Sequence, residues 1–188
     1  MTKKISIFSF TAVSVLLIPL SNGGRPPYPE LNPALGKYQN APECLPIRET
    51  WYSVYRNYVY DPEFGGAAKC GRLTSLGPEQ NGSFPMLLEY GHTSIEILST
   101  PVAYEGYDVK NLQYYQAAGE NSSLLVYIGY VDCQKCVLFR NSYINGKACS
   151  LFVPESALGN HGTCCDFIFN LLCGARPKYC TYDESCPK

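Results

Sequence analysis

The sequence is short of the residues on which most enzymes rely for proton transfer. It has two histidines, His92 and His161, each beside glycine in a stretch that reads as a turn. It contains no G-x-S-x-G elbow and no H-E-x-x-H helix, so serine-hydrolase and zinc-protease chemistry have no carrier. Paired carboxylates could serve glycoside chemistry, but Glu89 and Glu96 read as water-facing strand positions, and no enzyme is expected. No cluster of Lys and Arg could track a phosphate backbone, which argues against nucleic acid. Cys133-x-x-Cys136 and the Cys164-Cys165 doublet lack a second correctly spaced pair, so neither zinc nor any other cofactor is expected. Beyond the N-terminus there is no long apolar run, and no membrane anchor is expected.

What is present begins with Lys3 and Lys4 ahead of an apolar run from Ile5 to Leu20, closed by Ser21, Asn22, Gly23 and Gly24. That order of charge, apolar run and small residues predicts a secretory leader over residues 1–23. A transmembrane helix is the competing reading. Ser6, Ser9, Thr11 and Ser14 interrupt the run, which also falls short of the ~20 apolar residues a bilayer requires. Residues 24–43, rich in Pro, Gly and Asn without hydrophobic period, read as an extended arm, and residues 44–188 as one domain. The exported chain of roughly 160 residues is long enough for a single core and is expected to be monomeric. Losing Lys3 and Lys4 takes the formal net charge from -1 to about -3. All ten cysteines lie in the exported part, so nearly complete disulfide pairing in an extracellular protein is expected.

The domain reads as all-β. Segments dense in aromatic and β-branched residues run from Trp51 to Tyr60, Ala68 to Leu73, Phe84 to Tyr90, Ser94 to Thr100, Val109 to Gln116, Leu124 to Tyr130, Lys135 to Arg140 and Ala148 to Val153. Turn residues separate them, and Asn145-Gly146 is the clearest hairpin signal. Near the end, Thr163 to Leu172 changes period and predicts one α-helix, capped by Thr163, with Phe167, Ile168, Leu171 and Leu172 on its apolar face. Eight antiparallel strands avoid exposed edges by closing into an up-and-down barrel, whose interior suits one small ligand; a β-sandwich is the alternative on pattern alone. Asn81-Gly82-Ser83 and Asn121-Ser122-Ser123 are acceptor patterns for N-linked glycans at Asn81 and Asn121.

The order and spacing of several elements resemble a known family. These are RNYVYDPEFGGAAKC at Arg56 to Cys70, Cys136 opening a strand, CSLFVPES at Cys149 to Ser156, the cysteine doublet opening the helix, and YDESC at Tyr182 to Cys186. Together they resemble the salivary lipocalins of ticks, the tick histamine-binding protein family, from about Trp51 to Cys186. The resemblance implies a calyx-shaped lipocalin barrel with a C-terminal helix packed outside. It also implies disulfides from Cys70 to Cys186 and from Cys136 to Cys164 or Cys165. Cys149 with Cys173, strand to helix, is a further expectation; Cys44, Cys133 and Cys180 compete for what is left.

The family's best-known activity, sequestering histamine or serotonin, needs carboxylates and rings inside the barrel. The resemblance places acids directly after the late-strand cysteine and in the following strand, where this chain has Val137 and Ser150-Leu151-Phe152. It also places Ile97 and Tyr127 where acidic ligands occur, leaving Glu96 pointing away. Tyr58, Asp61 and Phe64 keep the aromatic, acid, aromatic pattern of the family's outer amine site, although Asp61 can equally be a turn carboxylate bonding its own backbone. The expected ligand-binding set is therefore Tyr58, Asp61, Phe64, Tyr127 and Phe152. The expected partner is a small host mediator, either a biogenic amine or an apolar lipid, captured to blunt host defence. A protein-binding immunomodulator that uses the barrel as scaffold is the alternative.

Overall fold

The computed structural model describes residues 28–188; the expected leader at 1–23 lies outside them. Eight strands form a closed antiparallel barrel: β1 (Trp51–Arg56), β2 (Arg72–Ser75), β3 (Phe84–Tyr90), β4 (Thr93–Val102), β5 (Leu112–Ala117), β6 (Leu124–Asp132), β7 (Cys136–Arg140) and β8 (Cys149–Pro154). Each pairs with its sequence neighbour, and β1 pairs with both β2 and β8 to close the ring. A short β9 (Tyr179–Cys180) takes up the rest of the β1 edge, opposite Tyr55 and Arg56. Period-two alternation explains the interior: in β3, Phe84, Met86, Leu88 and Tyr90 are buried, while the residues between them are less so.

Turn chemistry holds at Asn81-Gly82, where both residues have positive φ (51° and 84°) between the bridged Gln80 and Ser83, as a type I′ turn requires. It does not hold at Asn145-Gly146. There β7 and β8 are joined by the longer connection 141–148, in which Asn145 Oδ1 accepts the Lys147 N–H at 2.9 Å in a local side-chain turn.

The helix α1 (Thr163–Cys173) packs outside the barrel on β7 and β8. Its N-cap is Gly162, at φ 84°, and not Thr163, which is already helical. The buried face also differs from expectation. Cys165, Phe169 and Cys173 face the barrel, flanked by Ile168 and Leu172, whereas Phe167 and Leu171 are each 64% exposed. Disulfides Cys136–Cys165 and Cys149–Cys173 fix this rotation, because each ties the helix to a strand beneath it.

Cys70–Cys186 and Cys44–Cys133 make four bonds in all. Closing the Cys70–Cys186 loop is expected to stabilise the fold by roughly 4 to 5 kcal/mol in the chain-entropy picture. Cys164 and Cys180 remain unpaired and exposed, so the expectation of nearly complete pairing fails at these two positions.

The segment read as an extended arm is helical in its described part. It forms two 3-10 helices, Pro33–Tyr38 and Ala41–Cys44, and folds back over the barrel. Asn32 caps the first, accepting from the Ala34 N–H at 3.1 Å. The Glu30 carboxylate is fully buried against the Arg140 guanidinium, which also donates to the Leu172 carbonyl at 2.8 Å near the C-terminus of α1. One ion pair thus joins arm, barrel and helix.

Candidate ligand-binding site

β1 sets up the site through an irregularity. Its register with β8 shifts between Ser53 and Tyr55, so two successive residues, Val54 and Tyr55, turn outward onto the helix-side cluster. Tyr55 meets Phe169 edge-on at 4.8 Å. Alternation then resumes one step out of phase, and Arg56 lines the interior alongside Ser53.

The chain beyond β1 folds over this end of the barrel. Asp61 and Gly66 exchange backbone hydrogen bonds of 2.9 Å in both directions. Gly65 makes the turn possible, since its φ is 78° and an added Cβ would fall 2.4 Å from the Tyr90 ring. Asp61, 3% exposed, is consequently held with its two oxygens in different roles. Oδ1 accepts the N–H groups of Glu63 (3.1 Å) and Phe64 (3.0 Å), which is the turn-carboxylate arrangement. Oδ2 accepts from the hydroxyls of Tyr143 (3.0 Å) and Tyr58 (3.2 Å) and has no ion-pair partner among the described residues. Oδ1 thus fills the turn-carboxylate role, while Oδ2 is held by two hydroxyls at the chamber wall.

Around Asp61 lies a chamber that offers about 70 Å³ to the centre of a water molecule, several times the roughly 10–15 Å³ that one water needs. Phe64 stands edge-on to Tyr143 at 5.7 Å and to Tyr115 at 6.4 Å, and Phe139 meets Phe152 at 5.5 Å. The Tyr58 hydroxyl accepts from Asn141 Nδ2 (3.2 Å), which also donates to Ser150 Oγ (2.9 Å). Burial and the Asp61 charge raise the Tyr58 hydroxyl well above its ordinary range; burial, with Tyr58 and Asp61 nearby, does the same to Tyr143. Both remain protonated donors at any physiological pH.

A second hollow of about 30 Å³ adjoins the first across Leu73, Tyr115, Phe139 and Phe152. It is mostly apolar, walled by Met86, Ile128, Val131 and Val137 with Gln113 as its polar side chain, and Ala41, Leu45 and Ile47 of the arm side also line it.

Of the five expected residues, the structure brings Tyr58, Asp61, Phe64 and Phe152 into the chamber wall. Tyr127 does not belong there. In β6 the inward positions are Val126 and Ile128, both 1% exposed, so Tyr127 points outward and packs on Tyr28 (4.9 Å) and Tyr104 (6.3 Å). Ile97 does line the chamber and Glu96 is exposed, as the alternation of β4 requires. The two positions without the expected acids both face inward, Ser150 in the chamber and Val137 in the second hollow. Tyr143 and Asn141 were missed because they sit in a connection with no periodicity, and Arg56 because only the bulge turns it inward.

A family model described as tick histamine binding protein matches residues 29–188. The chain belongs to the tick histamine-binding protein family. No curated protein matches this family member significantly by sequence. Among solved structures, AM182 in complex with serotonin is 18% identical with a TM-score of 0.53, covering 83% of this chain and 94% of that one. Japanin from Rhipicephalus appendiculatus, bound to cholesterol, is 16% identical with a TM-score of 0.53, over 73% of this chain and 95% of its own. Apocrustacyanin C2 is 17% identical with a TM-score of 0.51, over 77% and 84%. At such identities the likeness shows the lipocalin fold alone. The family's description is that of a binding protein, and AM182 and japanin are likewise seen with a bound small molecule. Four disulfides fit an extracellular protein, and no helix of the described residues is long and apolar enough to cross a membrane.

Proposed function

We propose that this protein sequesters a compact host mediator with a cationic amine, held at Asp61 inside the barrel, and so blunts host defence at the site of secretion. The observation that carries the reading is Asp61 Oδ2, a buried carboxylate oxygen facing a chamber with no cation paired to it. An ammonium entering there recovers by ion pairing the hydration it loses, and the rings of Phe64, Tyr115 and Tyr143 suit the aromatic body of such a ligand. Membership of the family and the serotonin bound by AM182 are in keeping with it.

One observation favours a lipid ligand instead: the second hollow is mostly apolar and adjoins the first, so an elongated apolar molecule could extend across both. A protein-binding role has less in its favour. Among the described residues the large exposed apolar side chains are scattered, from Tyr38 of the arm through Val59 and Tyr60 after β1, Leu98 and Tyr114 on β4 and β5, to Phe167 and Leu171 of the helix.

Native mass spectrometry of the secreted, deglycosylated chain, followed by solvent extraction of whatever it retains, distinguishes the readings. Retention of an aromatic amine is expected. A neutral lipid as the sole retained species would refute the amine reading.

A further inference from the structure

Among the described residues Arg56 carries the only charged group besides Asp61 on the chamber wall, and nothing in the proposed amine contact uses it. Its side chain is buried, with the residue 7% exposed. Nη2 donates to the carbonyls of Val59 and Gly66, both at 2.9 Å, and so braces the loop that presents Asp61. That brace accounts for one nitrogen of three. Nε is buried without a hydrogen-bond partner, Nη1 makes no hydrogen bond among the described residues, and no carboxylate there forms an ion pair with the guanidinium.

A buried guanidinium without a counter-ion is costly, and the Tyr58 ring, 5.0 Å from its carbon, compensates it only in part. Arg56 and Asp61 do not neutralise each other directly. The guanidinium lies over the face of Tyr58, while Asp61 Oδ2 accepts from the hydroxyl of the same ring at 3.2 Å. The chamber therefore presents two opposite charges spaced by one phenol ring. That spacing suits a ligand whose ammonium and carboxylate share one carbon, each reaching its partner across one hydrogen bond.

We infer that the chamber is a site for compact aromatic zwitterions, with the ammonium at Asp61 and a carboxylate at Arg56. The inference rests on the amine reading and adds a second pole to it. Arg56 offers the planar pair of N–H donors that a carboxylate accepts, and it repels a ligand that brings only a cation.

The test uses the full disulfide-bonded protein and matched probes in calorimetry: serotonin, 5-hydroxytryptophan and 5-hydroxyindole-3-acetate, with histamine, histidine and imidazole-4-acetate as a second series. The zwitterion is expected to bind at least tenfold more tightly than the simple amine in one series or both. Arg56→Gln is expected to erase that preference, read as the ratio of zwitterion to simple-amine affinity in the same variant, and Arg56→Lys to restore part of it. The ranking on the unaltered protein needs no variant, so a failure of Arg56→Gln to fold does not block the test. If the simple amine binds as well as the zwitterion and depends on Asp61, the inference falls and the amine reading stands. If the acid without an amine binds as tightly as the zwitterion, indifferent to Asp61→Asn but lost in Arg56→Gln, the site is anionic only and the zwitterion is overturned together with the amine contact. If no probe of either series binds, both fall.

Discussion

The Tyr143 hydroxyl donates to Asp61 Oδ2 at 3.0 Å across the end of the barrel, joining the β7–β8 connection to the turn that follows β1. It is a part-buried hydrogen bond to a carboxylate, worth about 1.5–3 kcal/mol. Tyr143→Phe is therefore expected to lower stability by that order in urea or thermal unfolding. The same bond has a pH signature. Burial, with Tyr58 and Asp61, raises the Tyr143 hydroxyl in the folded state above the ordinary tyrosine value of about 10. A raised folded value contributes stability that is complete below about pH 10 and is lost as pH rises beyond it. Melting between pH 8 and 11 should show an alkaline loss in the native chain that is shallower in Tyr143→Phe; identical slopes would refute it.

The Glu30–Arg140 pair predicts a larger effect. Both side chains are buried, and Arg140 also serves the Gly146 and Leu172 carbonyls. Glu30→Gln leaves a buried guanidinium without its counter-charge and should cost about 3–5 kcal/mol in urea denaturation. A loss under ~1 kcal/mol, the range of exposed pairs, would mean that the arm is only loosely docked.

Thiol counting tests the covalent frame. Alkylation without reduction should label Cys164 and Cys180 and no other cysteine, in the folded as well as the denatured chain. Cys164 opens α1 and Cys180 lies on β9 opposite Tyr55, and the structure leaves both exposed and unpaired. A chain with no free thiol and a mass unshifted by any cap would contradict the frame.

Histamine affinity tests the inward positions that lack acids. Ser150 and Val137 face the two hollows, so Ser150→Glu should strengthen amine binding, while the native chain should bind histamine far more weakly than relatives with an acid there. Titration calorimetry on Ser150→Glu and the native chain reads this directly. An unchanged or weaker affinity in a folded variant would contradict it.

Strand positions were legible wherever side chains alternate, as in β3 and β4; the family resemblance located Cys70–Cys186 and joined Cys136 to one of the Cys164-Cys165 doublet, and Cys149–Cys173 was expected separately. The parts that were not legible share a cause: each depends on a contact distant in sequence. The helix face follows Cys165 and Cys173, not the apolar pattern, so Phe167 and Leu171 were misassigned. The arm folds because Glu30 meets Arg140, 110 residues away. Arg56 enters the chamber through a bulge, and Tyr143 through a connection without period. Tyr127 shows the converse, since a one-residue offset in an alternating strand sends a side chain to the opposite face.

The most direct test of the account is calorimetry of an aromatic amine against the native chain and Asp61→Asn, with an apolar ligand as control. The substitution keeps the size of the turn and removes the charge. Loss of a charged contact of about 1.5–3 kcal/mol predicts a fall in amine affinity of roughly ten- to a hundredfold, with uptake of the apolar ligand unchanged. Tight amine binding that survives Asp61→Asn would contradict the account and would place the amine at some carboxylate outside this chamber, since Glu96 is exposed and Glu89 is engaged with Arg72.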